Sequence, residues 1–238
     1  MATETDVALE TVDLATTPRR ELNARLHALA GDPDPRPAHW RVENPSGAHA
    51  LAVGLDAPVV VEIDGHVGYY CAGMNKQATV RVHGNAGVGV AENIMSGTVI
   101  VEGNASQSAA ATGRGGLLVV NGDASARCGI SMKGVDIVVR GSVGHMSAFM
   151  AQKGCLVVCG DAGDALGDSI YEAHLYVRGR VKGLGADCVE KEMREHHVAE
   201  LRSLLERAGI DDADPGEFRR FGSARRLYNF NVDNAGEY

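Results

Sequence analysis

Residues 80–86 read VRVHGNA, residues 99–105 read VIVEGNA and residues 118–124 read LVVNGDA. The phrase stands earlier as VEIDGHV at 61–67 and continues as IVVRGSV (137–143), LVVCGDA (156–162) and LYVRGRV (175–181). Its glycine is Gly65, Gly84, Gly103, Gly122, Gly141, Gly160 and Gly179, with 19 residues between each and the next. Two residues before it sits Ile63 or a valine, and four before it Val61, Val80, Val99, Leu118, Ile137, Leu156 or Leu175. Two after it comes a small apolar residue, from Val67 and Ala86 to Val181. Agreement of seven registers at four positions is an internal repeat.

The chemistry of one unit follows from these positions. Side chains alternate across a strand, so the residues two and four before the glycine share one apolar, largely β-branched face that points inward. The glycine breaks the strand, and the expectation is that it supplies a backbone angle other residues adopt only at a cost. Asn85, Asn104, Asp123 and Asp161 follow directly, residue types that bond their own backbone in turns. One unit cannot bury its apolar face alone, so the units stack, at about 4.8 Å per step, into a column roughly 29 Å long. The predicted fold is a right-handed, single-stranded parallel β-helix of about seven 19-residue coils, an all-β core with short helical extensions. The leucine-rich pattern L-x-x-L-x-L with Asn is absent, as is a six-residue rhythm within each coil.

Three regions result: an N-terminal helix and proline-rich connector (1–50), the β-helix (51–187), and a C-terminal helix with a basic and aromatic tail (188–238). In TTPRRELNARLHALAG (16–31), Pro18 suits a first helical turn and Leu22, Leu26 and Leu29 share a side. The connector GDPDPRPAHWRVENP (31–45) carries the single Trp40, and the first strands are expected near Leu51 to Val61. VEKEMREHHVAELRSLLERAG (189–209) reads as an amphipathic helix stopped by Gly209, followed by Arg219, Arg220, Arg225, Arg226 and LYNFNV. The open ends of a column need covering, and the two helices are the expected lids.

Composition bounds the function. The 238 residues are 45% hydrophobic, enough for a packed interior, while 30 glycines and 5% aromatics suit tight turns and close packing. A net charge of −8 argues against nucleic-acid and membrane-surface binding. The N-terminus MATETDVALE has no secretory pattern, and no apolar run approaches a membrane span. The five scattered cysteines, Cys71, Cys128, Cys155, Cys159 and Cys188, read as reduced, buried thiols of a cytoplasmic protein.

No catalytic, cofactor-binding or metal-binding set emerges from the residues. GNAGVG (84–89) belongs to the repeat and precedes no helix, so it is no dinucleotide loop. Cys155 and Cys159 bracket a strand, and Cys188, Glu192, His196 and His197 lack a second pair at zinc spacing. His145, Ser147 and Lys153 share a coil without an arranged partner, and Ser131-Met-Lys133 lacks the Ser-x-x-Lys step. The outward residues just before the repeat glycines, Asp64, His83, Glu102, Asn121, Arg140, Cys159 and Arg178, form no acid pair of the kind a polysaccharide-cleaving β-helix needs. What rises above structure is a stripe of Lys76, Arg114, Lys133 and Lys153 at one place in successive coils, a docking face for a carboxylate-rich partner. Tyr69, Tyr70 and Met74 add bulk near the column's first coil.

The stretches IDGHVGYYCAGMNKQATVRVHGNAGVGVAENIMSG, GDASARCGISMKG and GSVGHMSAFMAQKG resemble the glycine-repeat β-helix domain at the C-terminal end of the glutamate synthase large subunit, over nearly the whole chain. The resemblance extends to the free-standing form of that domain, a separate subunit of N-methylglutamate synthase and related complexes. It implies a scaffold without an active site, in a hetero-oligomer with a glutamine-amidotransferase-like subunit and an FMN-binding glutamate-synthase-like subunit. FMN and the iron–sulfur cluster are then expected on a partner. One component of the formylmethanofuran dehydrogenase/formyltransferase complex carries a similar domain and is the alternative; the LYNF tail and the N-terminal helix fit the glutamate synthase side better.

Overall fold

The computed structural model describes residues 9–36 and 38–226. Its centre is one sheet of eleven strands. The seven repeat strands are β3 (Val60–Ile63), β4 (Thr79–Val82), β5 (Thr98–Val101), β6 (Leu117–Val120), β7 (Asp136–Val139), β8 (Cys155–Val158) and β9 (His174–Val177). Each pairs in parallel with the next at a shift of one repeat, so Val61, Val80, Val99, Leu118, Ile137, Leu156 and Leu175 form one inward ladder. Past the corner a second ladder runs Val67, Ala86, Ala105, Ala124, Val143, Ala162, Val181. This is the expected parallel β-helix. No helix among the described residues is long and apolar enough to cross a membrane.

The repeat glycines are there for a different reason than the sequence suggested. From Gly84 to Gly179 none lies in the left-handed region. From Gly103 to Gly179 each N–H donates to the carbonyl of the repeat glycine one coil back, as from Gly122 to Gly103 at 3.0 Å. A Cβ on Gly84 would sit 2.6 Å from the Gly65 carbonyl carbon, and one on Gly141 2.7 Å from the Gly122 oxygen. Glycine stands there because neighbouring coils touch backbone to backbone. The residues that follow also act between coils rather than within a turn. Asn104 accepts from the Asp123 N–H at 2.8 Å, Asp123 from Ser142 at 2.7 Å, and Ser142 Oγ from Asp161 at 3.0 Å.

Left-handed backbone lies elsewhere in the coil. Tyr70, Ala72 and Met74 have φ of 63°, 53° and 56°, and their counterparts in later coils repeat it, for example Ser108, Ala110 and Thr112 at 60°, 50° and 56°. The middle register is only Ala or Gly and is buried, as at Ala72, Ala91, Ala110 and Ala148.

The flanks join the sheet more than expected. Two strands precede the repeat: β1 (Leu9–Asp13) pairs with β2 (His39–Glu43), which pairs with β3. The first strands thus lie well before Leu51, and Trp40 is no linker residue but sits in β2 opposite Val61, buried in the column's core. The α1 helix (Arg19–His27) lays Leu22 and Leu26 over that end, held by Asn23 on the Ala50 carbonyl at 2.7 Å. At the other end the start of the expected C-terminal helix is instead β10 (Cys188–Lys191). It pairs antiparallel with β11 (Arg219–Ser223), which inserts beside β9 and brings Phe221 into the core opposite Leu175. The basic stretch at Arg219 and Arg220 is therefore a strand; LYNFNV lies outside the described residues, as does most of MATETDVALE.

The α2 helix (Glu195–Arg207) is not a lid on the column's end. Its Leu201, Leu204 and Leu205 pack on the outward side chains of β6 to β9, including Leu117, Val119, Val138, Val157 and Tyr176. Burying each leucine contributes roughly 2 kcal/mol. Arg207 to Asp136 at 2.9 Å and Arg140 to Asp212 at 2.7 Å pin its C-terminal side.

Candidate functional site

The cationic stripe divides in two. Parallel bridges join Asp56 to Lys76 and Lys133 to Lys153 across neighbouring coils. Lys76 is neutralised: its Nζ reaches Asp56 at 2.9 Å, and this bond, with a second from Gln77, holds the Asp56 carboxyl below its ordinary range. Met95, exposed, occupies the next coil and separates Lys76 from the rest. Arg114, Lys133 and Lys153 then stand exposed on three successive coils, with no ion pair among the described residues. Their order follows from the ladder, with Arg114 N–H on Ile94 and Lys133 N–H on Gly113, each at 2.7 Å. One coil further Glu172 appears, paired to Arg225 at 2.8 Å. A three-cation patch thus lies between two neutral margins. Like charges about 5 Å apart repel, so an anionic surface set on the patch relieves strain already present in the free chain.

The tyrosines stand apart from this patch. Tyr69 is 55% exposed and stacks on His49 with ring centres 3.7 Å apart. Tyr70 is half-buried, in the left-handed conformation, and its hydroxyl accepts from Asn93 at 3.4 Å. Exposed Val88 lies one repeat beyond Tyr69, and exposed Met74 is on the same coil.

A second cluster, under α2, escaped the sequence reading. Cys155 and His174 are register partners on β8 and β9, both pointing outward, and Glu200 of α2 comes down between them. Ligand atoms of the three lie within 4.8 Å of one another. Tyr176 donates to the Glu200 carboxylate, and His174 Nδ1 meets the same oxygen at 2.8 Å. Desolvation alone would raise the Glu200 pKa, but the bonds from Tyr176, His174 and Cys155 outweigh it and hold it below the ordinary value. Burial pushes the Cys155 thiol and the Tyr176 phenol up. Burial likewise takes Cys71 and Cys128 to about 12, so they are neutral thiols at physiological pH. One clue was available: both Cys155 and His174 stand five residues before a repeat glycine, so one stacks on the other. Nothing local announces Glu200.

No protein-family model matches the chain. Protein GlxC of Rhizobium meliloti (strain 1021) is 64% identical to it over 228 residues, which cover 95% of this chain and 99% of that protein.

Proposed function

The chain belongs to the GlxC family, and from that premise we propose that it is a non-catalytic, structural subunit of a glutamate-synthase-like complex. The specific reaction proposed is that of N-methylglutamate synthase, in which methylamine and L-glutamate give N-methylglutamate and ammonia. The column braces a glutamine-amidotransferase-like subunit against an FMN-binding subunit, with FMN and the iron–sulfur cluster on a partner.

The observation that carries the reading is the patch of Arg114, Lys133 and Lys153, with no ion pair among the described residues, on adjacent rungs of a stiff column in a chain of net charge −8. Cations kept at fixed spacing on a rigid face suit electrostatic docking, which sets register and association rate. The glutamate-synthase-like motifs around Gly65, Gly84, Gly122 and Gly141 support the choice of partners.

The test is co-expression with both partner subunits, followed by sizing chromatography. The wild-type chain co-elutes with them. Reversing two charges, Arg114→Glu with Lys133→Glu, weakens association at least tenfold, while the unfolding midpoint of the isolated chain barely moves, since both residues are exposed and unpaired. Unchanged co-elution of the double variant refutes the docking face. Turnover of methylamine and glutamate by the isolated chain refutes the scaffold role.

A further inference from the structure

A cavity of 480 Å³ opens where β9, the β10–β11 pair and the start of α2 meet. Its charged lining is unbalanced. Lys191, Arg194, Arg220 and Arg225 face two carboxylates, Glu172 and Glu192. Both acids are taken, Glu172 by Arg225 at 2.8 Å and Glu192 by Arg194 at 3.0 Å. Among the described residues, no carboxylate lies within ion-pair distance of Arg220 or Lys191.

Arg220 is the informative residue. It is half-buried, and among the described residues its Nε alone is used, donating to the Glu192 carbonyl at 3.1 Å. The rest of its planar fork remains for a ligand, in the geometry that grips carboxylate or phosphate with two parallel bonds. His197 forms part of the wall beside it. This ring accepts the Arg194 N–H on Nδ1 at 3.2 Å, which places its own proton on Nε2 as a donor. Its pKa is driven down to about 4, by desolvation first and then by the positive charge of Arg220 and the neighbouring histidines. Desolvation also lowers the pKa of Arg220 itself. The cavity therefore concentrates positive charge that its own acids leave unbalanced, in a chain that is acidic overall.

We infer that this cavity binds a small anion bearing two negative charges, of carboxylate or phosphate chemistry, with Arg220 as its principal contact and Lys191 as the second. The volume lies within the usual range of small-molecule sites. The inference is independent of the subunit reading above, since it concerns the isolated chain and residues outside the cationic stripe.

The purified full chain is titrated calorimetrically at low ionic strength, with inorganic phosphate in one arm and succinate in the other. At least one arm saturates at one ligand per chain, and the better binder identifies the anionic group. Arg220→Gln weakens that binding at least tenfold, and Lys191→Gln about threefold. In the wild-type chain the His197 imidazole resonance moves along the same isotherm. Failure of both probes to saturate overturns the proposal, as does undiminished binding by Arg220→Gln or binding that leaves His197 unmoved. Should Arg220→Gln not fold by circular dichroism, Lys191→Gln and the wild-type His197 signal decide the matter.

Discussion

The glycine corner and the left-handed arc both turn the chain once per coil, and they use glycine in opposite ways. At the corner, Gly84 to Gly179 have no left-handed torsion to accommodate, yet no other residue fits. In the arc, three positions per coil are left-handed, and most are held by alanine, serine, methionine or asparagine. The difference shows what the 19-residue glycine signature records. It marks where coils press backbone against backbone, while torsional strain is borne where stacking hydrogen bonds over-determine the conformation. Ala110, for instance, is buried and donates to Val90 at 2.8 Å despite its φ of 50°.

The contrast breaks if alanine is tolerated at the corner. In Gly122→Ala the new methyl would meet Asn104 Oδ1 and lie 2.8 Å from the Gly103 carbonyl oxygen. Overpacking against backbone that cannot yield should cost about 3 kcal/mol in urea unfolding. Gly31→Ala, with φ of 78° but open space around it, should cost only about 1 kcal/mol. Equal effects at the two sites would mean that torsion rather than contact selects the glycine.

Next in size is the side-chain ladder beside the corner. Asn104→Ala removes the acceptor of the Asp123 N–H and should cost about 1 kcal/mol, with water replacing part of the loss at this exposed position. Asn104→Ser should recover much of it, because Ser142 performs the same role with its hydroxyl one coil past Asp123. No loss in the alanine variant would reduce the ladder to decoration.

The smallest effect has the opposite sign. Ser108 has φ of 60° and no side-chain hydrogen bond among the described residues. Ser108→Gly relieves a left-handed strain and should raise stability by about 0.5 kcal/mol, net of the freedom glycine gains in the unfolded chain. A melting-temperature drop would show that the arc is not strained there.

Much of the architecture was legible because stacking obeys one translation. In the repeat strands residues 19 apart are neighbours, so a single period places Val80 on Val61 and Cys155 beside His174. The covering of the outer face also left a trace in the strands themselves. VVEI and TVRV keep exposed or polar residues on the outward side, whereas LLVV and CLVV put leucine, valine and cysteine there and HLYV adds Tyr176, which is the mark of strands buried on both faces; TVIV, with half-buried Ile100, lies between. The start of α2 was misjudged because residues 188–191 carry no torsional signal against a helix; pairing with β11, some thirty residues on, overrides their local preference. Trp40 likewise reads as part of the connector, and Phe221 carries no sequence signal of its own, since each enters the column outside the repeat.

Period, inward face and coil count belong to the sequence alone, because a translational repeat leaves each coil one way to bury its apolar side: against its copy. Only the tertiary structure decided that Glu200 meets Cys155 and His174, and that Arg220 lines a cavity whose two acids, Glu172 and Glu192, pair with other arginines. Both meetings bring segments from outside the repeat onto the column, so their geometry is set by how α2 and β11 dock and not by the 19-residue spacing.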